Sequence, residues 1–294
     1  MITTITVLGA GTMGLGIARL FASHDYHVTL YDPNLPSLPE SVHQSSKTFS
    51  IVLMSDFEKA VVEADLIVES APEQLAVKRE IFQRLGSLIK PQAIVASNTS
   101  TFALEELASD LTIGNRMMIT HFFNPADHIP LVEIVGLPST SPDILDEVTS
   151  VLQRCGKSPV VLRKDIPGFI ANRLQAALMR EACYLLEKGV ADAGQIDTAV
   201  KEGLGLRWAF KGPFEIADLG GLDIWSKVTG NLFPKLANSS QAPQSILEKA
   251  ASGELGVKSG RGFYEYEDSS RTSEQLAGNM QRLVSFKTNI NQEG

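Results

Sequence analysis

The feature that most constrains this chain is a turn. Gly9-Ala10-Gly11-Thr12-Met13-Gly14 follows directly on the apolar run Ile5–Leu8 and opens a helical stretch, Gly14–Ser23. A GxGxxG between a strand and a helix has a physical reading. Gly9 makes the tight turn, Gly11 lets the backbone approach a pyrophosphate, and Gly14 allows close helix–strand packing. The helix that follows points unsatisfied N–H groups and a partial positive charge at the phosphates. A second strand, His27–Tyr31, ends on Asp32, eighteen residues past Gly14. A carboxylate there accepts hydrogen bonds from both ribose hydroxyls of NAD and repels the 2′-phosphate of NADP. No arginine follows it; the next residues are Pro33 and Asn34.

The pattern of the first half extends this unit. Strand candidates Leu66–Glu69, Ala93–Ser97 and Met117–His121 alternate with helical stretches such as Leu75–Ile89, and Leu131–Val135 and Ser158–Leu162 can widen the sheet. The expected fold is α/β: a Rossmann-type doubly wound, mostly parallel sheet followed by a smaller all-helical domain. Residues 33–50 read as a polar, Pro- and Ser-rich connection with at most a short helix. Beyond Asp165 the apolar spacing becomes helical from Pro167 to Leu186, Gly189 supplies a stop, and Asp192 with Gln195 resembles an N-cap pair. Further helices follow Pro213 and Pro243, and the tail 273–286 places Leu276, Met280, Leu283 and Val284 on one face. The domains are therefore 1–164, binding the nucleotide, and 165–294, helical.

Bulk properties exclude several classes. A net charge of −8 disfavours a nucleic-acid binder, whose affinity would come from clustered Lys and Arg. No apolar run approaches the roughly 18 residues of a membrane span, and Met1–Leu8 lacks the basic flank of a signal peptide. Cys155 and Cys183 show no metal-ligand spacing, so no metal is expected. A cytoplasmic enzyme acting on a small molecule is the default.

Chemistry concentrates in Thr120-His121-Phe122-Phe123-Asn124-Pro125, at the carboxyl end of a strand, where open α/β sheets place ligands. Oxidising an alcohol needs a base for the hydroxyl proton, and histidine titrates near neutral pH. Glu133 lies twelve residues on, inside the apolar run Leu131–Val135. A buried acid there needs a partner, and His121 would supply it; an exposed Glu on an edge strand is the other reading.

These motifs resemble, in order, those of the 3-hydroxyacyl-CoA dehydrogenase family: Gly9–Gly14, Ser97-Asn98-Thr99-Ser100, His121–Pro125, Leu131-Val132-Glu133, Pro167–Arg173 and Gly256–Tyr264. The resemblance spans the chain except residues 33–50 and the final tail. It implies His121 as catalytic base and Glu133 as its orienting partner. Asn124 and Asn172 would lie near the reacting oxygen, and Ser97 would contact substrate and cofactor. Gly9, Gly11, Thr12, Met13, Gly14, Asp32, Glu73, Lys78, Ser97, Asn124 and Lys258 would hold NAD, with Lys78 alternatively a solvated helix lysine. It also implies a homodimer built on the helical domain and a place in fatty acid metabolism. The first expectation for substrate is a short-chain 3-hydroxyacyl-CoA such as 3-hydroxybutyryl-CoA. The family's CoA-handling members carry a long helical hairpin after the second strand. Here the segment is short, and Lys47 is the one Lys or Arg between Asp32 and Asp56. Gly203–Pro213, with Arg207, is similar to relatives that oxidise carnitine or L-gulonate, so a free 3-hydroxy acid is the alternative, and a non-catalytic NAD-binding protein a third reading.

Overall fold

The computed structural model describes residues 1–293, with Gly294 outside the described residues. It divides into two compact units, Met1–Ile170 and Ala171–Gly294. In the first, β1 (Thr4–Leu8), α1 (Thr12–Ala22), β2 (His27–Tyr31), α2 (Glu40–Thr48), β3 (Val52–Met54), α3 (Phe57–Val61), β4 (Leu66–Glu69), α4 (Leu75–Leu85), β5 (Ile94–Ser97), α5 (Leu104–Ala108), β6 (Met117–Phe122), β7 (Leu131–Gly136), α6 (Pro142–Arg154) and β8 (Ser158–Leu162) follow one another. The eight strands form one sheet in the order β3-β2-β1-β4-β5-β6-β7-β8. Only β6 and β7 run antiparallel.

The strands are apolar on both faces because helices cover both. Alternate residues of a strand point to opposite sides. Ile5, Val7, Leu66 and Val68 pack with Ile17, Leu20 and Phe21 of α1. Leu8, Ile67 and Val95 pack on the other side with Phe82, Leu85, Leu104 and Leu107 from α4 and α5. The chain order reverses at β1, which lies between β2 and β4, so a crevice is expected outside the carboxyl ends of β1 and β4.

Residues 33–50 hold one short helix, as their sequence allows, and an unannounced edge strand follows them. A 3-10 turn, Leu35–Ser37, leads into the nine-residue α2, and then into β3, which adds an edge strand to β2. Helix α2 buries only Val42 and Ser45, and β3 is three residues long, so neither carries a readable periodicity. Ser45 accepts a hydrogen bond from Arg19 Nε at 3.1 Å, which ties α2 to α1.

The unit boundary falls at 170/171, six residues later than the sequence places it. Asp165 accepts the Leu104 N–H at 2.8 Å, and Phe169, 2% exposed, belongs to the core of the first unit. The second unit comprises α7 (Ala171–Glu187), α8 (Ala193–Thr198), a π-helical run Ala199–Gly205, α9 (Leu206–Trp208), α10 (Pro213–Gly220), α11 (Leu222–Leu232), α12 (Gln244–Ala251) and α13 (Ser269–Glu293). The N-cap pair read from sequence is a capping box: Gln195 N–H donates to Asp192 at 2.8 Å and the Asp192 N–H to Gln195 Oε1 at 3.3 Å. Among its described residues, Cys183 alone is fully buried.

Asp65 fastens the start of β1. Its Oδ2 accepts the N–H groups of Thr3 and Thr4, both at 3.0 Å, and Lys90 Nζ lies 3.1 Å from Oδ1. Partial burial pushes this carboxyl up, but the Thr3 and Thr4 amides, Lys90 and the Thr3 hydroxyl outweigh it and bring the pKa to about 2. A folded-state pKa below the unfolded one stabilises above the unfolded value and loses that stabilisation as pH falls through the folded one. Asp65→Asn should therefore cost about 1–2 kcal/mol at neutral pH, with the deficit shrinking from about pH 4 toward pH 2. Urea unfolding at several pH values checks this; a deficit constant across that window would contradict it.

Candidate active site

The turn after β1 is fixed by close contacts. Gly9 adopts φ +103°, where an L side chain is strained, and its N–H donates to Tyr31 O at 2.8 Å. A Cβ on Gly14 would stand 1.8 Å from Gly9 O, so the helix can start here only with glycine. A Cβ on Gly11 would meet nothing within 4 Å. No side chain caps α1, whose first turn, Thr12-Met13-Gly14, offers backbone N–H groups to a ligand. Asp32, at the end of β2, accepts the Ala10 N–H at 3.0 Å and the Asn34 N–H at 2.9 Å, which holds its carboxylate beside the turn. An open backbone cradle, a bare helix N-terminus and a fixed carboxylate fit a dinucleotide without a 2′-phosphate.

The next two strands end in a buried polar cluster. Glu69 and Ser97 are register partners across β4 and β5, and both are fully buried. Glu69 accepts hydrogen bonds from Ser97 Oγ (2.6 Å), Lys78 Nζ (2.7 Å) and the Ala71 N–H (2.7 Å). Lys78 is 1% exposed and also lies 3.2 Å from Glu73 Oε2. Glu73 Oε1 accepts from the hydroxyls of Thr99 (2.6 Å) and Thr101 (2.7 Å) and from the N–H groups of Ser100 (3.0 Å) and Thr101 (3.1 Å). Burial raises the Glu73 pKa, but the two threonine hydroxyls and Lys78 outweigh it and hold it at about 2.

Three of the expected residues sit in this cluster. Ser97, read as a substrate- and cofactor-contacting hydroxyl, is fully buried and donates its hydroxyl hydrogen bond to Glu69. Lys78 is no solvated helix lysine; its ammonium is enclosed between two carboxylates, where removing one partner of the pair would be costly. Glu73 commits one oxygen to the loop after β5. Glu69 itself escaped notice, although it carries the signal that marked Glu133: a carboxylate in an apolar run, Leu66-Ile67-Val68-Glu69. Asn98 was also missed. Its Oδ1 accepts the Phe122 N–H at 3.0 Å and so fastens the end of β6 to the end of β5.

That end of β6 carries His121. Antiparallel pairing sets His121 directly opposite Glu133, and Nδ1 lies 2.9 Å from Glu133 Oε2, the two side chains being 7% and 1% exposed. Because β8 pairs with β7, Glu133 sits on an interior strand and the edge-strand reading falls. An ionised carboxylate only accepts, so in the neutral imidazole Nδ1 carries the proton and Nε2 keeps its lone pair. Glu133 Oε1 accepts the Ile170 N–H at 2.8 Å. The rings of Phe123 and Phe169 lie 4.7 and 5.0 Å from the imidazole, centroid to centroid. Such an imidazole can take a proton at Nε2 while the carboxylate stabilises the cation.

Asn124 is exposed, two residues beyond β6. Asn172, half-buried, lies in the first turn of α7, and Lys258 is exposed on the short turn Val257–Ser259, both in the second unit. Arg207, exposed, donates to Gly203 O in its own helical run at 3.1 Å.

Among the described residues no helix is long and apolar enough to cross a membrane. Residues 4–166 match the model of the 3-hydroxyacyl-CoA dehydrogenase NAD binding domain, and residues 168–266 that of the 3-hydroxyacyl-CoA dehydrogenase C-terminal domain. The chain is 33% identical to 5-formyl-3-hydroxy-2-methylpyridine 4-carboxylate 5-dehydrogenase of Mesorhizobium japonicum, over 90% of this chain and 91% of that one. A crystal structure of an enzyme of that name, described as an NAD+-dependent dismutase, superposes with a TM-score of 0.90 at 31% identity, covering 99% of both chains. A "Probable 3-hydroxybutyryl-CoA dehydrogenase" of Bacillus subtilis is 33% identical over 91% of this chain and 98% of its own. With an NAD-binding half and a helical half both matched, the chain belongs to the 3-hydroxyacyl-CoA dehydrogenase family, enzymes that oxidise a CH–OH group with NAD.

Proposed function

We propose that this protein oxidises the hydroxyl of a compact, carboxylate-bearing substrate, with His121 as general base and Glu133 as its orienting partner. The observation that carries the chemistry is the buried 2.9 Å contact between Nδ1 and Glu133, which leaves Nε2 as the proton acceptor. NAD, when bound, supplies the hydride acceptor. The Gly9–Gly14 turn and Asp32 would hold it, with Glu73, Lys78, Asn124 and Lys258 proposed as further cofactor-side residues and Asn172 near the reacting oxygen. Buried as they are, Lys78 and Ser97 would serve the cofactor and the reaction by fixing Glu69 and Glu73 beside the loop after β5.

The compact substrate is supported by residues 33–54. They hold one 3-10 turn, one nine-residue helix and a short strand, where a CoA-gripping hairpin would need a longer insertion. End-to-end likeness to a pyridine-carboxylate dehydrogenase agrees. The second reading, a short-chain 3-hydroxyacyl-CoA, draws on the similarity to the Bacillus subtilis protein.

Homodimerisation through the helical unit is supported by its surface. Leu206, Phe214, Leu219, Leu222 and Phe233 are 63–86% exposed, large apolar side chains that association would cover. Sedimentation equilibrium should return twice the chain mass at micromolar concentration; a monomer there would contradict the proposal.

The reading is tested by NADH formation with a panel: carnitine, gulonate, 3-hydroxybutyrate, hydroxymethylpyridine carboxylates and 3-hydroxybutyryl-CoA. Turnover is expected on a free acid at least tenfold above the thioester; the reverse ranking would establish the second reading. His121→Ala should lower kcat on the preferred substrate by at least about 100-fold, with NADH affinity within a few-fold. Retained turnover would remove His121 as base. Asp32→Ala should weaken NAD about 10- to 150-fold and narrow its advantage over NADP, since one charge-assisted contact is worth about 1.5–3 kcal/mol. An unchanged preference would remove the role of Asp32.

A further inference from the structure

Phe169 is a bulky residue in a conformation such residues avoid. Its φ is +48°, and the preceding Gly168 has φ +79°. A left-handed aromatic residue is strained, and such strain persists only where surrounding structure over-determines it. Here the turn is held by the Phe169 N–H on Ile166 O at 2.9 Å and by the Phe169 ring, which is 2% exposed. Two consequences meet at one place. The ring lies 5.0 Å from the His121 imidazole, with the planes at 46°. The next N–H, that of Ile170, donates to Glu133 Oε1 at 2.8 Å.

We infer that the Gly168-Phe169-Ile170 turn is a positioning device for the His121–Glu133 pair. The inference rests on the proposed role of His121 as base. A carboxylate bonded through Oε2 alone can swing about its terminal torsion. With Oε1 held by a backbone amide that swing is restrained, so the backbone helps set the direction in which it fixes Nδ1. The Phe169 ring limits tilting of the imidazole, and with it the aim of Nε2. Base catalysis depends steeply on such alignment, whereas binding of substrate and cofactor depends on it weakly. Phe169 thus acts through His121 and needs no contact with substrate.

The split between kcat and KM reads this directly. Phe169→Ala, assayed on the substrate the wild-type protein prefers, should lose 10- to 100-fold in kcat, with KM and NADH affinity within threefold. The Ile170 amide should exchange with solvent at least tenfold faster. Phe169→Tyr, which keeps the ring, should stay within threefold of wild type in kcat. If Phe169→Ala fails to fold cooperatively, Phe169→Leu, which keeps bulk and loses the flat ring, should show the same kcat loss. The inference is overturned if the folded variants turn over within twofold of wild type, or if the loss lies in KM or NADH binding. His121→Ala separates the two claims. An inactive His121→Ala beside a fully active Phe169→Ala sinks the positioning role alone, and an active His121→Ala sinks both.

Discussion

A carboxylate removed from water must be given partners, and this requirement organises the functional end of the molecule. Glu133 is nearly inaccessible on an interior strand of an apolar sheet. Leaving it unpaired would cost several kcal/mol, so its two oxygens dictate what surrounds them. One takes the imidazole of the strand opposite, and the other takes a backbone amide from the segment leaving the first unit. The antiparallel β6–β7 pairing makes this possible. It puts the two residues face to face at the end of the sheet where ligands of parallel strands collect.

The same logic recurs two strands away. Glu69 is as buried as Glu133 and is satisfied by Ser97, Lys78 and the Ala71 amide. Through Lys78 the cluster reaches Glu73, which gathers the 99–101 loop, and Asn98 carries the restraint on to β6. The carboxyl ends of β4, β5 and β6 are thus joined by side chains as well as by the sheet ladder. A rigid rim suits a site that must hold a dinucleotide and a base in fixed geometry. The glycine turn serves the same end by exclusion, since Gly14 approaches Gly9 too closely for any side chain.

How much of this could be read in the sequence depends on whether a signal was local. The strands with buried β-branched runs, the glycine turn, Asp32 and the capping box at Asp192 all announce themselves within a few residues. The His121–Glu133 pair was legible because a charged residue in an apolar run demands explanation. Glu69 made the same demand, but it closes its run, where a polar residue also reads as a loop. Helix α2 falls within the short helix allowed for residues 33–50, whereas β3 was hidden by its brevity. Phe169 was unreadable for another reason: nothing in Pro167-Gly168-Phe169-Ile170 tells that the chain turns left-handed there, and the apolar ring seemed part of the following helix. For Lys78 the sequence left a solvated helix lysine open as the alternative, and only the tertiary placement of two carboxylates closes it.

The central claim is that Glu133 fixes the neutral imidazole of His121 with its proton on Nδ1 and its lone pair on Nε2. Nitrogen-15 NMR of histidine-labelled protein reads this without any assay of turnover, His121 being assigned by its loss in His121→Ala. The account predicts a protonated Nδ1 and a bare Nε2 in the neutral ring, with that preference lost in Glu133→Leu, which removes the acceptor. A neutral His121 with its proton on Nε2 would contradict it.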